Sequence, residues 1–315
     1  MAKVTVGVPV YNGAEFLEES LECLRQQDFT DIEVIIHDNA STDDTPLIAQ
    51  RFCQIDSRFK YMRRPKNVGF LQNFLGLLNE AKSPYFFGRA HDDISSPNWV
   101  SELVAAFERD PRAILAISRV RIEHPDGTEH RTVPAPLTQD RASADLAREL
   151  LKARCFAWFW CMWRREPLLE IMRFTAERYS NPWGLDMVTL FPVSVSGRAT
   201  SSDAATFYSR VNPRSVSQTM LKKADLSFQW SYQHAFKRHI WEAFAAFPPA
   251  DLPQGIGRDD VKKHIRTIVG KRKFFKNFFK QPRSSIAALY ACYAEDFSQR
   301  PRSVSNAPTY QMSRL

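Results

Sequence analysis

Residues 85–93, YFFGRAHDD (Tyr85 to Asp93), run three aromatics and a short polar turn into two adjacent carboxylates. The aromatics read as a buried strand, and Asp92 and Asp93 follow its end. A carboxylate in such a place resists burial unless it is paired or holds a cation. In a sheet wound with helices, ligands bind outside the C-terminal ends of the strands. Hard oxygens there suit Mg²⁺ or Mn²⁺, which take one or two carboxylates and complete their shell with substrate phosphates. Taken alone, the nine residues also fit a solvated loop ahead of a helix starting at Pro97.

Upstream of this stretch the chain alternates strands and helices. Val4, Val6, Val8 and Val10 form a β-branched run that turns at Tyr11-Asn12-Gly13. Phe16, Leu17, Leu21 and Leu24 have helical spacing over about 15–26. Ile32, Val34, Ile35 and Ile36 make a second strand ending at His37-Asp38-Asn39, and Ser41 to Asp44 signal a helix start before 47–55. A third strand is expected over 59–62, a turn at Asn67-Val68-Gly69, and helices over 71–81 and 98–110. This order predicts an α/β fold, a doubly wound and mostly parallel sheet with helices on both faces. Tyr11, Asp38, Asn67 and Asp92-Asp93 then fall along one edge, where such sheets bind ligands.

Four segments in order, VGVPVYNG (6–13), HDNASTDDT (37–45), PKNVGFLQN (65–73) and HDDISSP (91–97), resemble the family 2 inverting glycosyltransferases of GT-A fold. The resemblance covers about the first 215 residues. It implies that Pro9 and Tyr11 line a nucleobase pocket, that Asp38 meets the base edge, that Asn67 belongs to the donor site, and that Asp92 contacts the ribose. By the same resemblance Asp93 would hold the divalent cation, Mg or Mn, that bridges the donor diphosphate. The family's Asp-x-Asp signature lacks its first acid here, which leaves open whether His91 serves the metal or packs.

Each residue also has a purely structural reading. Tyr11 fits a half-buried aromatic at a strand end, and Asp38 fits a side chain capping the next turn. Asn67 and Gly69 fit a turn with unusual backbone angles. Asn73 fits a helical side chain bonding nearby backbone, while Asp43 and Asp44 suit a helix N-terminus.

In the second half, Val120 to Arg131 reads as a hairpin turning at Asp126-Gly127, and 140–153 as a helix. Phe156 to Trp163 (FAWFWCMW) is apolar on both faces and is expected to be a strand buried on both sides, its tryptophans in the core. Asp186, in Trp183-Gly184-Leu185-Asp186, precedes an apolar helix over 187–195. A helix cap would account for it; the resemblance instead makes it the catalytic base. Tyr208-Ser209-Arg210-Val211-Asn212 resembles the family's Tyr-x-Arg-x-His segment, with asparagine in place of histidine. Implied is a single displacement at the anomeric carbon with inversion.

The chain of 315 residues carries 43 Lys and Arg against 35 Asp and Glu, a net charge of +8. Ten basic residues and two acids lie between Arg258 and Arg283, so this segment accounts for the whole excess. Apolar residues at helical spacing within it fit either a helix docked on an anionic membrane or one packed on the catalytic domain. Nucleic acid is an unlikely partner in the absence of a recognised module. Five cysteines without a C-x-x-C pair point to reduced core residues in the cytoplasm, with peripheral membrane attachment as the further expectation. No signal peptide or membrane span is legible.

The expected domains are 1–215 for the transferase, divided near 110 into nucleotide and acceptor halves, a basic helical extension over 216–298, and a flexible tail over 299–315. The expected activity is transfer of a sugar from a nucleotide-diphosphate donor to a glycan or lipid-linked acceptor, in bacterial polysaccharide assembly. Alternatives are a nucleotide-sugar-binding protein without turnover, and a nucleotidyltransferase, which would need a glycine-rich basic loop that Val10 to Gly13 lacks.

Overall fold

The computed structural model describes residues 2–124, 126–136, 143–153, 155–179, 184–211 and 226–246, with single positions between 257 and 266. The first strand, β1 (Val4–Val10), is buried at every residue and flanked in parallel by β2 (Ile32–Asp38) and β4 (Tyr85–Gly88). β3 (Phe59–Arg63) adds in parallel to β2. Helices α1 (Ala14–Arg25), α2 (Thr45–Ile55) and α3 (Phe70–Glu80) make the crossovers. A strand sealed on both faces explains why β1 is a continuous valine run rather than an alternating one. The order β3-β2-β1-β4 places the C-terminal ends of these strands along one edge.

After β4 come the two-residue β5 (Ile94–Ser95) and α4 (Trp99–Arg109), then β6 (Leu115–Glu123) and β7 (Glu129–Val133) in the expected hairpin. α5 (Ser143–Ala153) follows. β8 (Met162–Arg164) joins the two halves, antiparallel to both β4 and β6. α6 (Arg165–Arg178) and α7 (Leu185–Ser196) lead to β9 (Ala199–Arg210), which runs parallel to β6 and antiparallel to β5. The sheet is parallel in its first half and mixed in its second.

One expected element differs. Phe156–Trp160 is a 3₁₀ helix, and only Met162–Arg164 is strand. The run is apolar on all sides because the 3₁₀ turn is wedged between the sheet and α7. Trp158 donates Nε1–H to the Ser118 carbonyl at 3.2 Å, and Trp163 donates to the Phe159 carbonyl at 3.0 Å. Both indoles are buried with their polar atom satisfied, as buried tryptophans require.

Of the 216–298 segment, α8 (Leu226–Ala246) is described. It packs on α7, and Tyr232, Phe236, Ile240 and Ala243 join the same core as the strands. The stretch from Arg258 to Arg283, apart from a few isolated positions, and the tail from 299 lie outside the described residues. Cys23, Cys53, Cys155 and Cys161 are free thiols. Among the described residues no helix is long and apolar enough to cross a membrane.

Candidate active site

The loop after β1 is fixed by the loop after β2. Asn12 N–H donates to Ser41 Oγ, Gly13 N–H to Thr45 Oγ1, and Ala14 N–H to Asp43 Oδ2, all within 3.0 Å. Asn12 and Ala40 hold φ of 51° and 66°, left-handed values that side chains other than glycine rarely adopt. Such strain on a non-glycine residue persists only where the surroundings over-determine it, and it clusters at functional sites. Here both residues flank the ligand edge. Pro9 lies within β1 beside His37, and Tyr11 follows with its ring 46% exposed.

Asp38 is fully buried at the end of β2. Its Oδ1 accepts the Ser41 N–H at 2.8 Å, and its Oδ2 accepts the Tyr61 hydroxyl at 2.7 Å with Arg63 Nε 3.8 Å away. Burial first, then this bond, pushes the Tyr61 phenol up to about 12. Both oxygens of Asp38 therefore have partners within the protein, the turn-capping arrangement. Asn67 Oδ1 accepts from Asn39 Nδ2 and from Gly69 N–H, each at 2.9 Å, and Asn39 Oδ1 accepts Val68 N–H. Gly69 has φ of 80°. Asn73 bonds the His37 carbonyl at 2.9 Å. These amides set the edge loops, the structural role read for them.

Asp92 and Asp93 lie past β4, both buried. Asp93 Oδ1 accepts the Arg210 backbone N–H at 2.9 Å, and its carbonyl accepts the Ser20 hydroxyl. Burial, with the neighbouring Asp92 charge next in size, pushes the Asp93 carboxyl up to about 8. The charges of two nearby guanidiniums pull the other way, and Arg89 keeps Nε and Nη1 buried without a hydrogen-bond partner among the described residues. Arg210 clasps both carboxylate oxygens of Glu19, at 2.7 and 2.5 Å. Arg89, fully buried, gives one bond to Ser95 Oγ and faces the rings of Phe87, Trp99 and Phe207. The His91 ring lies against Gly13, where an added Cβ would come within 2.7 Å of it.

Asp186 opens α7 behind Gly184, which has φ of 77°. Its Oδ1 accepts the adjacent Met187 N–H at 2.8 Å. Burial raises its carboxyl to about 6, above the pull of that bond. Burial also raises the phenols of Tyr179 and Tyr232, and the Asp186 charge adds to both shifts. Among the described residues no hydrogen bond or ion pair joins Asp186 to the acid pair. α7 instead packs on the 3₁₀ helix, whose Trp160 lies against Gly88 at the end of β4. Sequence alone does not reveal the ion pair of Arg210 and Glu19. Arg210 stands in a recognisable motif, whereas nothing in sequence marks Glu19, 191 residues away.

The model for glycosyl transferase family 2 matches residues 5–171. The chain belongs to that family. An uncharacterized glycosyltransferase of Haemophilus influenzae is 28% identical over 107 residues, 34% of this chain and 33% of that protein. The Campylobacter jejuni GalNAc(5)-diNAcBac-PP-undecaprenol beta-1,3-glucosyltransferase is 39% identical over 61 residues, 19% of this chain and 20% of that one. The chain thus spans a third or less of the length of these relatives. The crystal structure of Staphylococcus aureus TarS residues 1–349 with UDP superposes with a TM-score of 0.57 at 17% identity, covering 90% of this chain and 73% of TarS. That likeness confirms the GT-A fold of this family 2 chain.

Proposed function

We propose that this family 2 chain transfers a sugar from a nucleoside-diphosphate donor to a hydroxyl of a glycan or lipid-linked acceptor, with inversion. The observation that carries the reading is the buried Asp92-Asp93 pair at the C-terminal edge of a β3-β2-β1-β4 sheet. A buried carboxylate there, which among the described residues accepts no guanidinium hydrogen bond, fits a divalent cation that the donor diphosphate would help to hold. Asp93 would hold it, and it would offset the charge on the departing nucleoside diphosphate.

The protein's own groups do the rest. Tyr11 supplies an open ring for the base, beside Pro9, Asp38 and Asn67, and Asp92 lies toward the ribose. Asp186 accepts the proton of the acceptor hydroxyl as that oxygen bonds the anomeric carbon and the bond to the diphosphate breaks. A carboxyl near 6 is ionised at neutral pH yet basic enough for the task. The setting is bacterial polysaccharide assembly in the cytoplasm, with the Arg258–Arg283 segment at the inner-membrane surface.

The test is thermal stabilisation of the full chain by a panel of UDP-, GDP- and other nucleotide sugars, with Mn²⁺ or with EDTA. One donor should stabilise the wild type with Mn²⁺, and Asp93→Ala should lose the Mn²⁺ dependence while remaining folded. Equal stabilisation in EDTA would remove the metal from the scheme. No stabilisation by any donor would remove the nucleotide sugar.

A further inference from the structure

Phe70 is an exposed ring with a rigid backing. It is the first residue of α3, directly after the loop pinned by Asn39 and Asn67, and it remains 39% exposed. A single exposed apolar side chain needs no explanation, but this one is held in place by three other rings. Phe74 stacks beneath it at 5.5 Å and 29°, Trp160 stands edge-on at 5.8 Å and 73°, and Phe159 lies at 6.4 Å. Trp160 in turn meets Phe74 and Phe159 edge-to-face. Of the three tryptophans in Phe156 to Trp163, Trp158 and Trp163 are sealed in the core, and Trp160 is half-buried.

The location gives the group its meaning. Phe70 stands at the ligand edge because α3 begins where the loop after β3 ends. Trp160 reaches the same edge by lying on Gly88, the last residue of β4, where a Cβ would come within 2.8 Å of both Trp160 and Phe74. Four residues beyond Gly88 is Asp92. On its other side the 3₁₀ helix packs on α7, which opens with Asp186. The shelf therefore lies over the C-terminal end of β4, the strand that leads into the acid pair, and rests on α7 through the 3₁₀ helix.

We infer that Phe70, braced by Trp160, is the platform on which the acceptor's sugar ring stacks. This rests on the sugar-transfer reading above and narrows its acceptor to a saccharide whose terminal unit is a pyranose. One face of a pyranose carries axial C–H groups and is apolar, while its hydroxyls project from the rim. An aromatic face covers the first and leaves the second free for transfer. A rigid ring loses little entropy on ordering, so a pre-set shelf gives orientation at low cost.

The test uses methyl β-glycosides of glucose, galactose and N-acetylglucosamine as probes, with UMP and GMP as the competing ring ligands. Saturation-transfer NMR on the full chain should show at least one glycoside bound through its axial C–H face. Phe70→Ala should weaken that binding about tenfold, the scale of one lost aromatic contact, and Phe70→Tyr should restore it. In transfer assays the acceptor KM should rise alike, with the donor KM unmoved. If the wild type binds none of the glycosides, or Phe70→Ala binds them as well as the wild type, the platform is refuted. If Phe70→Ala loses nucleotide affinity instead, the shelf serves the base and the inference is wrong. The NMR measurement needs no turnover, so failure of the enzyme reading would show separately, as absent transfer with every donor.

Discussion

Replacing Asp186 by asparagine separates the two roles its position allows. Asparagine keeps the Oδ1 that accepts the Met187 N–H and removes only the charge. A folded-state carboxyl near 6, against 3.8 for the free group, means the native protein binds this proton more tightly than the unfolded chain. Stability then falls as pH rises from about 4 through 6, because the unfolded chain ionises first and more cheaply. At about 1.4 kcal/mol per pH unit, the ionised carboxylate costs the native state about 3 kcal/mol at pH 8, less whatever solvent reaches the half-buried group. Asp186→Asn should accordingly be more stable than wild type by about 2–3 kcal/mol at pH 8 and equal to it at pH 4. Over a domain of this size that is a rise in Tm of roughly 5–10 °C. Transfer should fall by roughly 10²–10⁴-fold in the same protein, while in the wild type the rate should climb with pH through about 6. Thermal melts at pH 4, 6 and 8, run beside a transfer assay, check both. If asparagine destabilises at pH 8 by the roughly 0.3–1 kcal/mol of a lost helix-dipole contact, and activity survives, Asp186 is a helix-terminus residue and the chemistry lies elsewhere.

Gly88→Ala should cost about 1–3 kcal/mol in urea melts, because its Cβ would press within 2.8 Å of Phe74 and Trp160; a neutral result would mean that these rings do not hold one position over β4. The Arg258–Arg283 segment should bind vesicles containing anionic lipid and release them as salt rises, each basic residue contributing roughly 1 kcal/mol near the surface. Charge reversal at Lys271, Arg272, Lys273 and Lys276 should abolish that binding and leave the donor-induced melting shift intact; wild type that ignores anionic vesicles at low salt would end the membrane reading.

The first half of the fold was legible because its signals are local. A strand, a polar turn and a helix with apolar spacing repeat three times, and each boundary fell within a few residues of its expected place. The acid pair was legible for the same reason, since two carboxylates after three aromatics conflict with burial wherever they sit. In the second half the hairpin and α5 were legible for the same reason, and the stretch that resisted is one that tertiary contacts decide. Phe156 to Trp163 has no periodicity, and a both-sides-apolar run satisfies a buried strand or a wedged 3₁₀ turn equally. What selects the turn is the Ser118 carbonyl waiting for Trp158, 40 residues earlier in the chain.

The same distinction runs through the site. Asp38 and Asn67 hold the edge loops through bonds whose partners lie on neighbouring loops and strands, so sequence could name both a structural and a binding role for each without choosing between them. The structure supplies the partners of the structural role, which leaves the loops set where a donor would lie. Asp93 differs in kind. Its carboxylate accepts a backbone N–H on β9, while Arg210 clasps Glu19 and Arg89 bonds Ser95 with its Nε and Nη1 buried and without a hydrogen-bond partner among the described residues. Burial and the Asp92 charge hold that carboxyl mainly protonated at neutral pH, and a divalent cation arriving with the donor would favour its ionised form. A carboxyl kept mainly neutral by burial at the ligand edge is the observation that supports the cation proposed above, and it comes from packing that motif spacing does not record.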